Sequence, residues 1–205
     1  MGFKKFEECF PPRFKEFDEA RKYIENIDIS NELTYEAIDY MITHKEYYFL
    51  LKNIILQFGD INEGTETFFE YLFSRMDKCP ERNIDFQLYR KIILSKNQKL
   101  KIAFMHFVKK CSREFKEFAK ELLNENNRHL KHFGFCILVS IPDDEEIKEL
   151  LKKYVLENKI NKHELEEFIE YVYFYGNKED KECLKNLMKK FPEFKDKIRQ
   201  VEESL

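Results

Sequence analysis

The residues of this 205-residue chain with the sharpest chemistry are its five histidines and five cysteines. His129 and His132 stand three apart, and His163 and Glu167 four apart. On a helix either spacing puts both side chains on one face, where a pair could share a metal ion. No third ligand stands at helical spacing beside either pair, so the reading is of surface histidines. His44 and His106 stand alone. Cys9, Cys79, Cys111, Cys136 and Cys183 are scattered, odd in number and never spaced as CxxC. That argues against structural zinc and against a disulfide framework, and for a reducing cytoplasm. The chain has no HExxH, GxSxG, GxxxxGK[ST] or GxGxxG segment. Its many carboxylates sit among lysines, as solvated or i, i+4 paired charges do. The expectation is therefore no catalytic residue, no metal ligand and no cofactor.

Charge is distributed unevenly. The whole chain carries −3, yet between Leu88 and His132 twelve Lys and Arg face four glutamates. A basic middle between acidic ends can bind phosphate backbones. The cations nominated for that role are Lys96, Lys99, Lys101, Lys109, Lys110, Arg113, Arg128 and Lys131. The alternative is a solvated lysine-rich face, since no base-reading motif accompanies the charge. Aromatic residues make up 16% of the chain, with 21 Phe, 11 Tyr and no Trp. They concentrate at 168–175, FIEYVYFY. A helix this apolar all round is normally buried. The functional reading puts Tyr171, Phe174 and Tyr175 in a groove as anchors for a partner protein, because aromatics dominate binding hot spots. Phe3, Phe6 and Phe10 form a second apolar face.

The elements that must position these groups are helices. Glycine and proline number five each, while Lys, Glu, Leu, Ile and Phe abound. No run alternates apolar and polar residues as a strand would. The spacing predicts helices over 13–26, 35–43, 45–58, 65–78, 85–94, 98–110, 113–124 and 128–140. Further helices follow over about 144–158, 162–176, 177–191 and 192–203. Gly59 and Gly176 are expected to stop two of them, and Asn161 with Glu164 to form a capping box. Residues 1–14 lack the continuous apolar core of a signal peptide. The longest apolar run, around residues 133–141, is too short to cross a membrane.

Residues 92–111 repeat in 122–141 at a constant offset of 30. Ile92–Ile93 match Leu122–Leu123, Asn97 matches Asn127, Leu100 matches Leu130, and Phe107–Val108 match Ile137–Leu138. Leu165, Phe168, Ile169 and Val172 continue the series. Each copy reads as a helix end, a polar turn and a second, apolar helix, the unit of a helical repeat stack. At these residues the chain resembles HEAT-like repeats. Their apolar pair, Asn-containing turn, basic residue and small residue fall at Leu122–Leu123, Asn126–Asn127, Arg128 or Lys131, and Gly134. In the other copy they fall at Ile92–Ile93, Asn97, Lys101 and Ala103. The resemblance covers about residues 85–191, at an offset shorter than the usual period of about 40.

It implies an all-α fold: an α-α superhelix of stacked antiparallel helix pairs, about 11–12 helices. The expectation is a single domain over 1–205, less regular over 1–84 and more clearly repeated over 85–205. A non-enzymatic scaffold that binds a protein partner follows from that architecture. A nucleic-acid-binding, DNA-repair-related protein is the alternative. Some HEAT-like proteins excise alkylated bases using tryptophans and an aspartate. This chain has no tryptophan, so neither that activity nor its residues carry over.

Overall fold

Helix follows helix because each segment has one apolar stripe and little that breaks a turn. A computed structural model describes residues 17–28, 32–42, 48–60, 64–76, 85–157 and 160–205. Among these residues it contains twelve α-helices, three short 3-10 turns and no strand. The Phe3, Phe6 and Phe10 face, His44, Cys9 and Cys79 lie outside the described residues. None of the described helices is long and apolar enough to cross a membrane. Contacts divide the chain into two units, Met1–Lys110 and Cys111–Leu205.

The first unit holds α1 (Phe17–Glu25), α2 (Glu32–Ile42), α3 (Tyr48–Asp60), α4 (Glu66–Met76), α5 (Phe86–Leu94) and α6 (Gln98–Lys110). Each helix packs on the next but one: α1 on α3, α2 on α4, α3 on α5, and α4 closely on α6. This is how stacked helix pairs share one core. Phe68, Phe69, Leu72 and Phe73 of α4 are all buried, on the face that their spacing selects. Asp85 caps α5 through the amide of Leu88 and pairs with Lys52 of α3 at 2.7 Å. Asn97 is fully buried: its Nδ2 donates to the Phe58 carbonyl, and its Oδ1 accepts the amide of Leu100. One side chain thus starts α6 and ties it to α3. Gly59 does not stop α3, contrary to expectation. It keeps a helical backbone, and its carbonyl accepts the amide of Lys96.

The second unit holds α7 (Lys116–Leu123), α8 (Arg128–Leu138), α9 (Glu145–Glu157), α10 (Lys162–Tyr175), α11 (Lys181–Lys190) and α12 (Lys195–Ser204). Helices α7, α11 and α12 each begin with a 3-10 turn, at Ser112–Phe115, Lys178–Asp180 and Pro192–Phe194. Here α8 packs on α10, α9 on α11 and α10 on α12. The capping box of Asn161 and Glu164 opens α10 as expected.

The closest approach in this unit joins α7 to α8, and Gly134 permits it. A Cβ there would lie 2.7 Å from the Ala119 carbonyl oxygen and 2.9 Å from the Leu122 Cβ. Backbone cannot step aside as a side-chain tip can. Gly134→Ala is therefore expected to destabilise the protein by about 1–3 kcal/mol despite the better helix propensity of alanine. Chemical denaturation measures this; an unchanged or raised midpoint contradicts the packing.

Candidate functional site

Helix α10 carries most of the chemistry of the second unit, on two sides. Phe168, Ile169, Tyr171 and Val172 are buried, while its last turn exposes three adjacent rings. Tyr173 is 54% exposed, Phe174 63% and Tyr175 40%. Tyr173 meets Phe174 edge-on at 5.1 Å, and Phe174 lies 6.3 Å from Tyr175. Tyr171 is placed otherwise than expected. It is 3% exposed, because it shares the core-facing stripe with Phe168 and Val172, and it cannot serve as a surface anchor. Burial pushes its hydroxyl up to about 12, with Asp144 and Glu145 adding to the shift. Tyr173, which sequence reading passed over, lines a groove instead. Ile169, Glu170, Tyr173 and Phe174 of α10 and Lys197, Gln200 and Val201 of α12 enclose about 430 Å³ there.

The opposite end of α10 faces α8, and a polar constellation fills that contact. Glu164 is 2% exposed. Its Oε2 accepts the Asn161 amide at 2.8 Å, and its Oε1 accepts the Tyr154 hydroxyl of α9 at 3.2 Å. The same Oε1 lies 3.2 Å from Nδ1 of His132. Burial alone would raise the Glu164 pKa. The hydrogen bond from His132, the capping bond from Asn161 and the nearby imidazole more than offset it, and the carboxyl sits below its usual range. Tyr154 is pushed strongly upward by burial and by that carboxylate. Sγ of Cys136 lies beside the His132 ring, 3.7 Å from Nε2 and 3.9 Å from Nδ1, and the thiol donates to Oε2 of Glu167 at 3.4 Å. Oε1 of Glu167 lies 3.6 Å from Nε2 of His163. The His132 partners read from sequence differ from those found. His129 is exposed, and its amide donates to the Asn127 side chain; Cys136, four residues on from His132 along the same helix, was passed over, and only Glu164 approaches from a position the linear spacing could not link.

A smaller cluster lies in the first unit. Nδ1 of His106 on α6 is 2.8 Å from Glu70 and 3.6 Å from Glu66, both of α4. All three ligand atoms fall within 4.8 Å of one another at an exposed surface. A groove of about 470 Å³ runs between α3 and α5 past Ile55, Gly59, Lys91 and Leu94.

The cations divide into two kinds. Lys116 and Lys120 belong to the basic stretch but are tied to α9: Lys116 pairs with Asp144 at 2.7 Å and with Glu146 at 2.8 Å, and Lys120 also reaches Glu146. Lys116 holds the Asp144 carboxyl below its ordinary range. In the first unit Lys96, Lys99, Lys109 and Lys110 are exposed, with Lys99 donating to the Gly64 carbonyl. Lys101 is half-buried, and desolvation lowers its pKa. In the second unit Arg113 and Arg128 are exposed and Lys131 is half-buried.

No family model, no curated protein and no solved structure matches this chain.

Proposed function

We propose that this protein is a non-enzymatic, HEAT-like helical scaffold that binds a protein partner through the last turn of α10. The observation that carries the reading is the triplet Tyr173, Phe174 and Tyr175. Three adjacent rings open to solvent are costly for a surface with no use for them, and such patches mark interaction sites. The neighbouring groove defines the occupant. Ile169 and Tyr173 on one helix, and Lys197 and Val201 on the other, are each i, i+4 pairs. Two ridges so spaced accept a third helix. The partner we infer is an amphipathic helix whose apolar side meets the rings. Cys111, Cys136 and Cys183 stand outside any disulfide among the described residues, which suits a cytoplasmic setting.

A photo-crosslinking residue at Glu170 and the triple variant Y173A/F174A/Y175A test this. The substitutions are expected to change stability little, because exposed side chains away from special features cost within about 0.5 kcal/mol each. They should abolish the crosslink to a discrete partner. A crosslinked species that survives the triple variant would exclude this surface.

A second reading, binding to a nucleic-acid backbone, draws on Lys96, Lys110, Arg113 and Arg128, which are exposed and make no ion pair among the described residues. Binding to mixed-sequence DNA or RNA that weakens steeply with salt would favour it over the protein partner.

A further inference from the structure

Resting on the reading of the last turn of α10 as a protein-binding surface, we propose that the partner it fits is a second copy of this chain. The two copies dock about a two-fold axis that runs through the groove between α10 and α12. The first observation is charge. Glu170 stands on the α10 side of the groove and Lys197 on the α12 side. Both are exposed, and neither makes an ion pair among the described residues. One unpaired acid and one unpaired base therefore flank an apolar floor, where Ile169 is 1% and Val201 6% exposed.

Any two points on one face are exchanged by the two-fold that lies in the face midway between them. Here that axis runs through the groove, and the rotation sets Glu170 of each copy against Lys197 of the other. An isologous interface requires this self-complementarity: residue i meets j, and j meets i. A foreign partner would have to bring both signs in a matching arrangement, whereas a second copy carries them already. The groove between α3 and α5 offers no such match, since Lys91 is the one charged residue among its described lining.

The second observation is relief. Tyr173 and Phe174 stand as a ridge at the α10 edge of the groove, with Tyr175 beside them, and the groove encloses about 430 Å³. Each copy thus presents a ridge of rings and a hollow next to it. The rotation that pairs the charges also carries the rings of one copy toward the α12 wall of the other. Buried rings supply most of the affinity of such a contact. The charges set its register and penalise wrong alignments. The charge of −3 on each copy does not forbid it, since exposed charges more than about 8 Å apart are largely screened at physiological salt.

The test is sedimentation velocity of the reduced full chain over a range of concentrations, beside E170K, K197E, E170K/K197E and Y173A/F174A/Y175A. Every substituted side chain is exposed, so folding is not at stake. The unaltered chain should show a monomer–dimer equilibrium. Each single reversal creates two like-charged contacts per dimer and should raise the dissociation constant at least about tenfold. The double reversal exchanges the signs and should return it to within about threefold of the unaltered chain. The ring variant should be monomeric. A photo-crosslinking residue at Gln200, in the same groove, should give a product of twice the 25.2 kDa of the chain. A chain that is monomeric at every concentration overturns the proposal. If the crosslinker then joins it to a different, single protein, the protein-binding reading of α10 survives; if it joins nothing, both fall. A dimer that persists in the ring variant, ignores the single reversals or is not restored by the double one docks by another face and overturns the proposal equally.

Discussion

Truncation of Phe104 to alanine is expected to lower the stability of the protein by about 3–5 kcal/mol, the range for a large ring removed from a closed core. Phe104 has no solvent exposure. Its ring lies 5.5 Å from Phe73 of α4 and 5.0 Å from Tyr89 of α5, so it fills the junction where three helices of the first unit meet. Phe73 is held back from the gap by its stacking on Phe107 at 5.6 Å. Phe104→Leu, which keeps most of the volume, should cost clearly less. Equal losses for the two variants in urea denaturation would show that the site is not closely packed.

Asp180→Ala should cost about 3 kcal/mol or more, by a different mechanism. Asp180 is wholly buried, and its Oδ2 accepts the Asn177 amide at 2.8 Å, which closes the capping box before α11. The same carboxylate serves two lysines of α9. Lys148 approaches to 3.7 Å and is itself buried, and Lys152 makes a close pair. Removal of the acid leaves Lys148 with Glu145 alone, at 2.6 Å but 72% exposed. A surface carboxylate does not replace a buried one. The double variant D180A/K148M removes both buried charges and should recover part of the loss, since an ion pair exchanged for apolar groups is often close to neutral. The expected fall in melting temperature for the single variant is on the order of 10 °C. A double variant no more stable than D180A would locate the cost in the lost cap instead.

The helices themselves were readable from the sequence. Helix α6 begins and ends at the residues its pattern predicts, and the inward face of α4 is correctly assigned. Local chemistry settles such points: a capping side chain, an apolar stripe, a proline at the first turn. Gly59 was misread because glycine permits a helix to end but does not compel it, and here the backbone stays helical. Gly176 does end α10, but for a reason of space. It is extended, and a Cβ there would lie 2.3 Å from the Val172 carbonyl oxygen. Asn97 and Asn127 look equivalent at an offset of 30, and both cap a helix. Only Asn97 is buried and bonded to another helix, a difference that depends on what lies opposite.

The candidate sites were legible only in part, for the same reason. Periodicity reports which residues share a face and is silent on which faces meet. His163 and Glu167 were visible as a pair, but Cys136 lies 31 positions before Glu167. A motif of two i, i+4 pairs, HxxxC and HExxE, was the one available signal. The basic stretch shows the converse error. Charge counted along the chain missed Asp144 and Glu146, which fold back onto Lys116 and Lys120.

The order in which the helices rest on one another has a kinetic and mechanical consequence. In both units the principal contacts join a helix to its neighbour or to the next but one. Contacts so near in sequence close only short loops, and chains of this kind fold in microseconds to milliseconds. A nascent chain need not wait for its far end: each new helix finds its seat among the one or two just synthesised. The same order governs the response to force. Within each unit, a helix pulled from one end is held by its neighbour and the next but one alone, so each unit is expected to yield gradually, without the single sharp rupture of a sheet whose first and last strands are zipped together.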